Sequence, residues 1–187
     1  MRKTCEHWKQ HFPAGKFGAH LFPEFEMRTK AVSSELFRVP RMSDAAAILI
    51  ELVEAIQARK AVVVESPIQE AAGITAELRS RGVTVYTEAA DIAAHADTAD
   101  IGISGVEFGI AETGSVFQDG YDIATRLVTI LPPLHVVFLQ SAYIVPSIEE
   151  AFEIISPGFD RGYVGFITGP SRFVIIAVDE EPKGGAA

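Results

Sequence analysis

From about Phe25 onward, short apolar runs alternate with longer segments of helical periodicity. "SELFRV" (34–39) reads as a strand, and "MSDAAAILIELVEAIQARK" (42–60) carries Ile48, Leu49, Leu52, Val53 and Ile56 on one helical stripe. The β-branched run "AVVVE" (61–65) predicts the next strand. After it, Ser66 is placed to cap a helix, Pro67 to take its first position and Gln69 to complete a capping box, with the helix running to about Arg81. Gly82 ends that helix. "VTVY" (83–86) is a further strand, and "EAADIAAHADTA" (88–99) is a weaker helix before the strand "DIGISGVEFGI" (100–110). Beyond "SVF" and a turn at "QDGYD" come a short helical piece "IATRLVTIL", the Pro132-Pro133 step and a buried strand "LHVVFL" (134–139). Pro146, Ser147 and Glu150 open a helix to about Ile155, and "GYVGFITG" (162–169) and "RFVIIAV" (172–178) read as the last two strands.

Parallel strands need crossover connections, so strands alternating with helices at this spacing predict an α/β fold: a mainly parallel sheet covered on both faces by helices. In such sheets ligands gather beyond the carboxyl ends of the strands. That rule draws attention to "GIAETGSVFQDG" (109–120), where an apolar run ends at Glu112-Thr113-Gly114-Ser115. Glu112 is a candidate general base or orienting carboxylate, since partial desolvation raises a carboxyl pKa; a surface acid capping a turn is the other reading. Thr113 and Ser115 offer hydroxyls, and Gly114 lets backbone N–H groups approach an anion, though the same residues also suit a plain turn.

Three further residues have a functional and a structural reading. Arg126 is placed to hold a carboxylate by two parallel hydrogen bonds, or to pair with Asp122 four residues earlier. His135 is placed to donate to a substrate or shuttle a proton, or to sit buried with a hydrogen-bond partner. Arg172, with Ser171 and the Gly169-Pro170 turn, forms a candidate anion-binding corner or a strand-edge ion pair.

Composition narrows the field. With 48% hydrophobic and 22% charged residues in 187, the chain suits one soluble domain. A formal charge of −9 with no dense basic run disfavours nucleic acid. Residues 1–24, with their Phe-Pro steps, read as a partly irregular arm, 25–178 as the single α/β domain, and 179–187 as a flexible tail. No membrane span or secretory core is evident, so a cytoplasmic location is expected. The single cysteine, Cys5, excludes an intrachain disulfide and an iron–sulfur cluster held by this chain's own thiolates. Cys5, His7 and His11 lack a fourth ligand for structural zinc, so no metal site is assigned; docking of Trp8 and Phe12 on the body or on a second subunit, or disorder, accounts for the arm. There is no phosphate loop, complete dinucleotide fingerprint or nucleophile elbow.

"ISGVEFGIAETGS", "RLVTILPPLHVVFL", "IVPSIEEAF" and "FITGPSR", in that order, resemble the LUD-domain family, in which lactate-utilisation C-type proteins fall; the similarity spans roughly Phe25 to Arg172. The resemblance implies the three-layer α/β/α sandwich shared by glucosamine-phosphate isomerase, ribose-phosphate isomerase and coenzyme A transferases. It also implies a part in oxidation of L-lactate or a related organic acid, alongside partner subunits that carry the iron–sulfur centres, with no cofactor bound by this chain. Glu112 and His135 are then the candidate catalytic residues, and Thr113, Gly114, Ser115, Arg126, Ser171 and Arg172 the candidate contacts for a small anionic metabolite. After Arg172 the chain departs from the family's usual acidic run, which reads as a divergent or shortened member. Two other classes stay open: a stand-alone enzyme using Glu112 on a sugar phosphate or acyl-coenzyme A, and a non-catalytic binding module. A homo-oligomer is compatible with either.

Overall fold

The computed structural model describes residues 5, 7–13, 17–159, 162–169 and 172–182. Its centre is a six-stranded sheet in the order β1-β10-β7-β4-β2-β3, formed by β1 (Glu35–Val39), β10 (Arg172–Val178), β7 (Leu134–Gln140), β4 (Ile101–Gly105), β2 (Lys60–Val63) and β3 (Thr84–Tyr86). Every adjacent pair is parallel. Helices α2 (Met42–Ala55), α3 (Pro67–Ala71) and α4 (Ile74–Ser80) cover one face, where Leu49, Val53 and Leu78 pack on Val63, Ile103, Val136 and Ile176. These strand residues are alternate positions of β-branched runs, which is why the runs are apolar on both sides: each face has its own cover. The α/β sandwich expected from periodicity is therefore present.

The opposite face is covered in two halves. Over β2 and β4 lie α5 (Ala89–His95) and α6 (Ile123–Ile130), with Ile92, Ala124 and Val128 against Val62 and Val64. Over β7 and β10 lie α1 (Phe22–Ala31) and a second sheet in the order β8-β5-β6-β9, made of β8 (Ile144–Val145), β5 (Phe108–Ile110), β6 (Ser115–Asp119) and β9 (Val164–Ile167). Its outer face carries Phe108, Ile110 and Phe117, which α7 (Ile148–Ile155) and the N-terminal residues Cys5, Trp8 and Phe17 bury. Trp8 sits 5.4 Å from Phe108 and Phe12 sits 5.2 Å from Tyr143, ring centroid to centroid, so the head of the chain docks on the body. Ser147 caps α7 by accepting from the Glu149 and Glu150 N–H groups, the arrangement its sequence signature predicts.

Two expectations change. The strand expected over 100–110 is two strands in different sheets. Val106 N–H still donates to Phe138 O at 3.1 Å beside the main sheet, while Glu107 N–H donates to Phe117 O at 3.0 Å in the second. A continuous apolar run conceals the switch because both halves are buried. The helix expected over 66–81 is likewise two, α3 and α4, with Gly73 at φ 65° between them. Among the described residues no helix is long and apolar enough to cross a membrane.

Where α6 crosses β4 the backbones nearly touch. A Cβ on Gly102 would lie 2.2 Å from the Val128 carbonyl oxygen, so only glycine lets the helix settle there. Gly102→Ala should therefore push α6 off the sheet and cost about 1–3 kcal/mol, the usual range for overpacking; urea unfolding measures it, and an unchanged midpoint would contradict the contact.

Candidate functional site

Between α6 and β9, the outer strand of the second sheet, runs a groove of about 420 Å³ lined by Gln118, Gly120, Arg126, Thr129, Ile130, Tyr163 and the length of β9 with Thr168. Helical spacing puts Arg126 and Thr129 one turn apart on the groove side of α6. Asp122 does not pair with Arg126 as a helix-face neighbour would; its carboxylate caps α6 by accepting from Ala124 N–H at 3.0 Å. The Arg126 guanidinium lies over the Tyr163 ring, 5.4 Å from its centroid, and its buried Nε has no hydrogen-bond partner among the described residues. A guanidinium that lies over an aromatic ring and is short of acceptors has donors to offer an anion.

Beneath the groove is a buried polar chain. Alternation along β6 turns Val116 and Gln118 toward the main sheet, and the same rule turns Ser104 on β4 and His135 on β7 to meet them. Gln118 Nε2 donates to Ser104 Oγ at 2.8 Å and to Gly105 O at 3.0 Å. Ser104 Oγ lies 2.9 Å from His135 Nε2, and Thr129 Oγ1 donates to Gln118 Oε1 at 2.6 Å. Burial without a charged partner pushes the His135 imidazole down to about 3, so it is neutral at pH 7. In that state it orients Ser104 and, through it, Gln118. It does not line the groove.

The other sequence candidates lie apart from this groove. Glu112, Thr113, Gly114 and Ser115 form the turn of the β5–β6 hairpin, not the carboxyl end of a main-sheet strand as expected, because β4 has already ended at Gly105. Glu112 is exposed, and its carboxylate accepts from Ile148 N–H at 3.2 Å, at the start of α7. Gly114 has φ 67°, and a Cβ there would lie 2.3 Å from Thr29 N, so it is the seat of α1 against the hairpin. The Gly114 carbonyl accepts from Thr29 Oγ1 at 3.1 Å, and the Thr113 and Ser115 hydroxyls bond each other. Arg172 is exposed at the start of β10. Ser171 lies outside the described residues. At the carboxyl edge of the main sheet, α3 packs against β7, and Ser66 Oγ, both Gln69 amide atoms and Gln140 Oε1 are buried without hydrogen-bond partners among the described residues. Among those residues no three His, Cys, Asp or Glu side chains gather as a metal site; Cys5 is buried, its backbone N–H donating to Asp119 Oδ2 at 2.7 Å.

Of the described sequence candidates, then, only Arg126 lines the groove, and Gln118, Thr129 and Tyr163 join it there unforeseen. One signal pointed to Thr129, its i, i+3 spacing from Arg126; Gln118 fell in a stretch that reads as a turn, and nothing in the sequence marked Tyr163.

A family model described as the LUD domain matches residues 22–181. Lactate utilization protein B of Geobacillus kaustophilus (strain HTA426) is 32% identical over 126 residues, 54% of this chain and 26% of that protein. Lactate utilization protein B of Bacillus subtilis (strain 168) is 36% identical over 98 residues, covering 43% of this chain and 20% of that protein. Lactate utilization protein C of the same B. subtilis strain is 30% identical over 89 residues, 45% of this chain and 37% of that protein. The matched stretch thus spans 20–37% of the length of these curated relatives. The crystal structure of a DUF162 family protein from Deinococcus radiodurans superposes with a TM-score of 0.60 over 86% of this chain and 96% of that one; at 16% identity this is a likeness of fold.

The buried histidine has a measurable signature. With the folded imidazole at about 3 against 6.5 in the unfolded chain, the unfolded state binds the extra proton between those values. Stability is then flat above about pH 6.5 and falls as pH drops below it, by about 1.4 kcal/mol per unit from this residue. Denaturant unfolding between pH 7 and pH 5 should show that slope in the wild type and a shallower one in His135→Gln; equal slopes would mean the imidazole is not buried neutral.

Proposed function

Because the chain belongs to the LUD domain family, we propose that it is a component of a system for using L-lactate or a related organic acid, and that its own task is to hold a small carboxylate in the groove between α6 and β9. The Arg126 guanidinium carries this reading. It lies over Tyr163, it faces a groove of about 420 Å³, and its buried Nε lacks an acceptor among the described residues. A carboxylate in the groove would meet the guanidinium by the two-bonded geometry such groups favour. Neutral Gln118 and Thr129 add no competing charge at the groove.

The names of the relatives support the metabolic setting, and the presence of one cysteine in these 187 residues supports the reading that any iron–sulfur chemistry sits on partner subunits. In this arrangement the chain positions an anion while electrons move elsewhere. Ile130 and Tyr163 stay 67% and 48% exposed at the groove, apolar area of the kind a partner subunit would cover.

Titration calorimetry at pH 7 with L-lactate tests the carboxylate reading. Arg126→Gln should weaken binding at least about tenfold, the loss of a charge-assisted hydrogen bond, with Arg126→Lys between it and wild type and all three melting within a few degrees. Equal affinities in wild type and Arg126→Gln would overturn it.

A further inference from the structure

The groove also carries a polarity, set by the direction of its hydrogen bonds. Gln118 Nε2 lies 3.0 Å from the Gly105 carbonyl, a group that only accepts, so the amide is held with its nitrogen inward and its oxygen toward Thr129. The flipped amide would set oxygen against oxygen. Thr129 Oγ1 then has two neighbours, Gln118 Oε1 at 2.6 Å and Thr125 O at 2.9 Å, and both are pure acceptors. Its one proton goes to either of them, and what Thr129 offers the groove is its lone pairs. One turn away on the same helix, Arg126 offers only donors.

We propose that this donor–acceptor pair makes Thr129 a specificity residue: the groove selects an anion whose carboxylate meets Arg126 and whose neighbouring carbon carries a hydroxyl that donates to Thr129. A 2-hydroxy acid meets both demands. A 2-oxo acid of the same size sets a carbonyl oxygen against the Thr129 lone pairs, where neither side has a proton to give. Discrimination comes from the unmade hydrogen bond, not from size, because the two acids differ by two hydrogens. The buried side of the chain, Ser104 and His135, is what keeps Gln118, and hence Thr129, in this sense. The inference rests on the carboxylate reading of the groove.

Calorimetry of the full chain at pH 7 with L-lactate, pyruvate and propanoate as probes separates the two. Wild type should bind L-lactate about tenfold more tightly than pyruvate or propanoate, the worth of one hydrogen bond at a half-open site. Thr129→Val should bring the ratio near one by weakening lactate alone, Thr129→Ser should keep it, and Arg126→Gln should weaken all three acids. Equal wild-type affinity for lactate and pyruvate, or a ratio that survives in Thr129→Val, would overturn the role of Thr129 and leave the carboxylate reading standing. Failure of all three acids to bind wild type would overturn both.

Discussion

The structure turns on one residue step. At Val106 the backbone still bonds to β7 of the main sheet, and at Glu107 it bonds to β6 of the second. The buried Glu107 carboxylate fastens the crossing by accepting from Asp119 N–H at 2.8 Å. Because the chain leaves the main sheet there, β5 and β6 can fold back over β7 and β10 as a hairpin, and a sheet takes the place that helices hold elsewhere in the fold. The face of the main sheet then has two unlike covers, helices over β2 and β4, strands over β7 and β10, and the groove lies between them.

That seam explains why polar residues occur so deep. At most positions of this face the strands present Val, Leu, Ile or Ala, but beneath the seam they present Ser104 and His135. At the seam between α6 and the second sheet, buried side chains bond one another in a chain ending at Gln118 and Thr129. The groove above inherits a fixed pattern of donors and acceptors from a network whose inner members, Ser104 and His135, are buried.

Much of the main sheet was legible in the sequence. Residues 61–65, 134–139 and 172–178 are β-branched runs with no other plausible state, and α7 announced itself through Ser147 and Glu150. Of the second sheet, only β9 was legible as a strand of its own, within the run 162–169. β5 has three residues and β8 two, too short for any periodicity, and β6 ends in Gln118 and Asp119, which read as a turn. Helix α1 was hidden by the Phe22-Pro23 step, which looks like a loop but puts proline in the first helical turn. The same failure misplaced Glu112 to Ser115: without the break at Val106 they stand at the mouth of a parallel strand, and with it they are a hairpin turn seated on α1 and α7. Arg126 was readable as a candidate from its chemistry alone, whereas Gln118 and Tyr163 reach it only through the pairing of β6 with β9.

The most direct test is a map of where a small carboxylate settles. Backbone and side-chain amide chemical shifts, followed by NMR as L-lactate is added, report on the groove, the hairpin turn and the carboxyl edge of the main sheet at once. The account requires the Arg126 Nε–H, the Gln118 side-chain amide, Gly120 and Gly165 to move together on one saturating curve. Shifts gathered instead at Glu112 to Ser115, or at Ser66 and Gln69, with Arg126 unmoved, would contradict it.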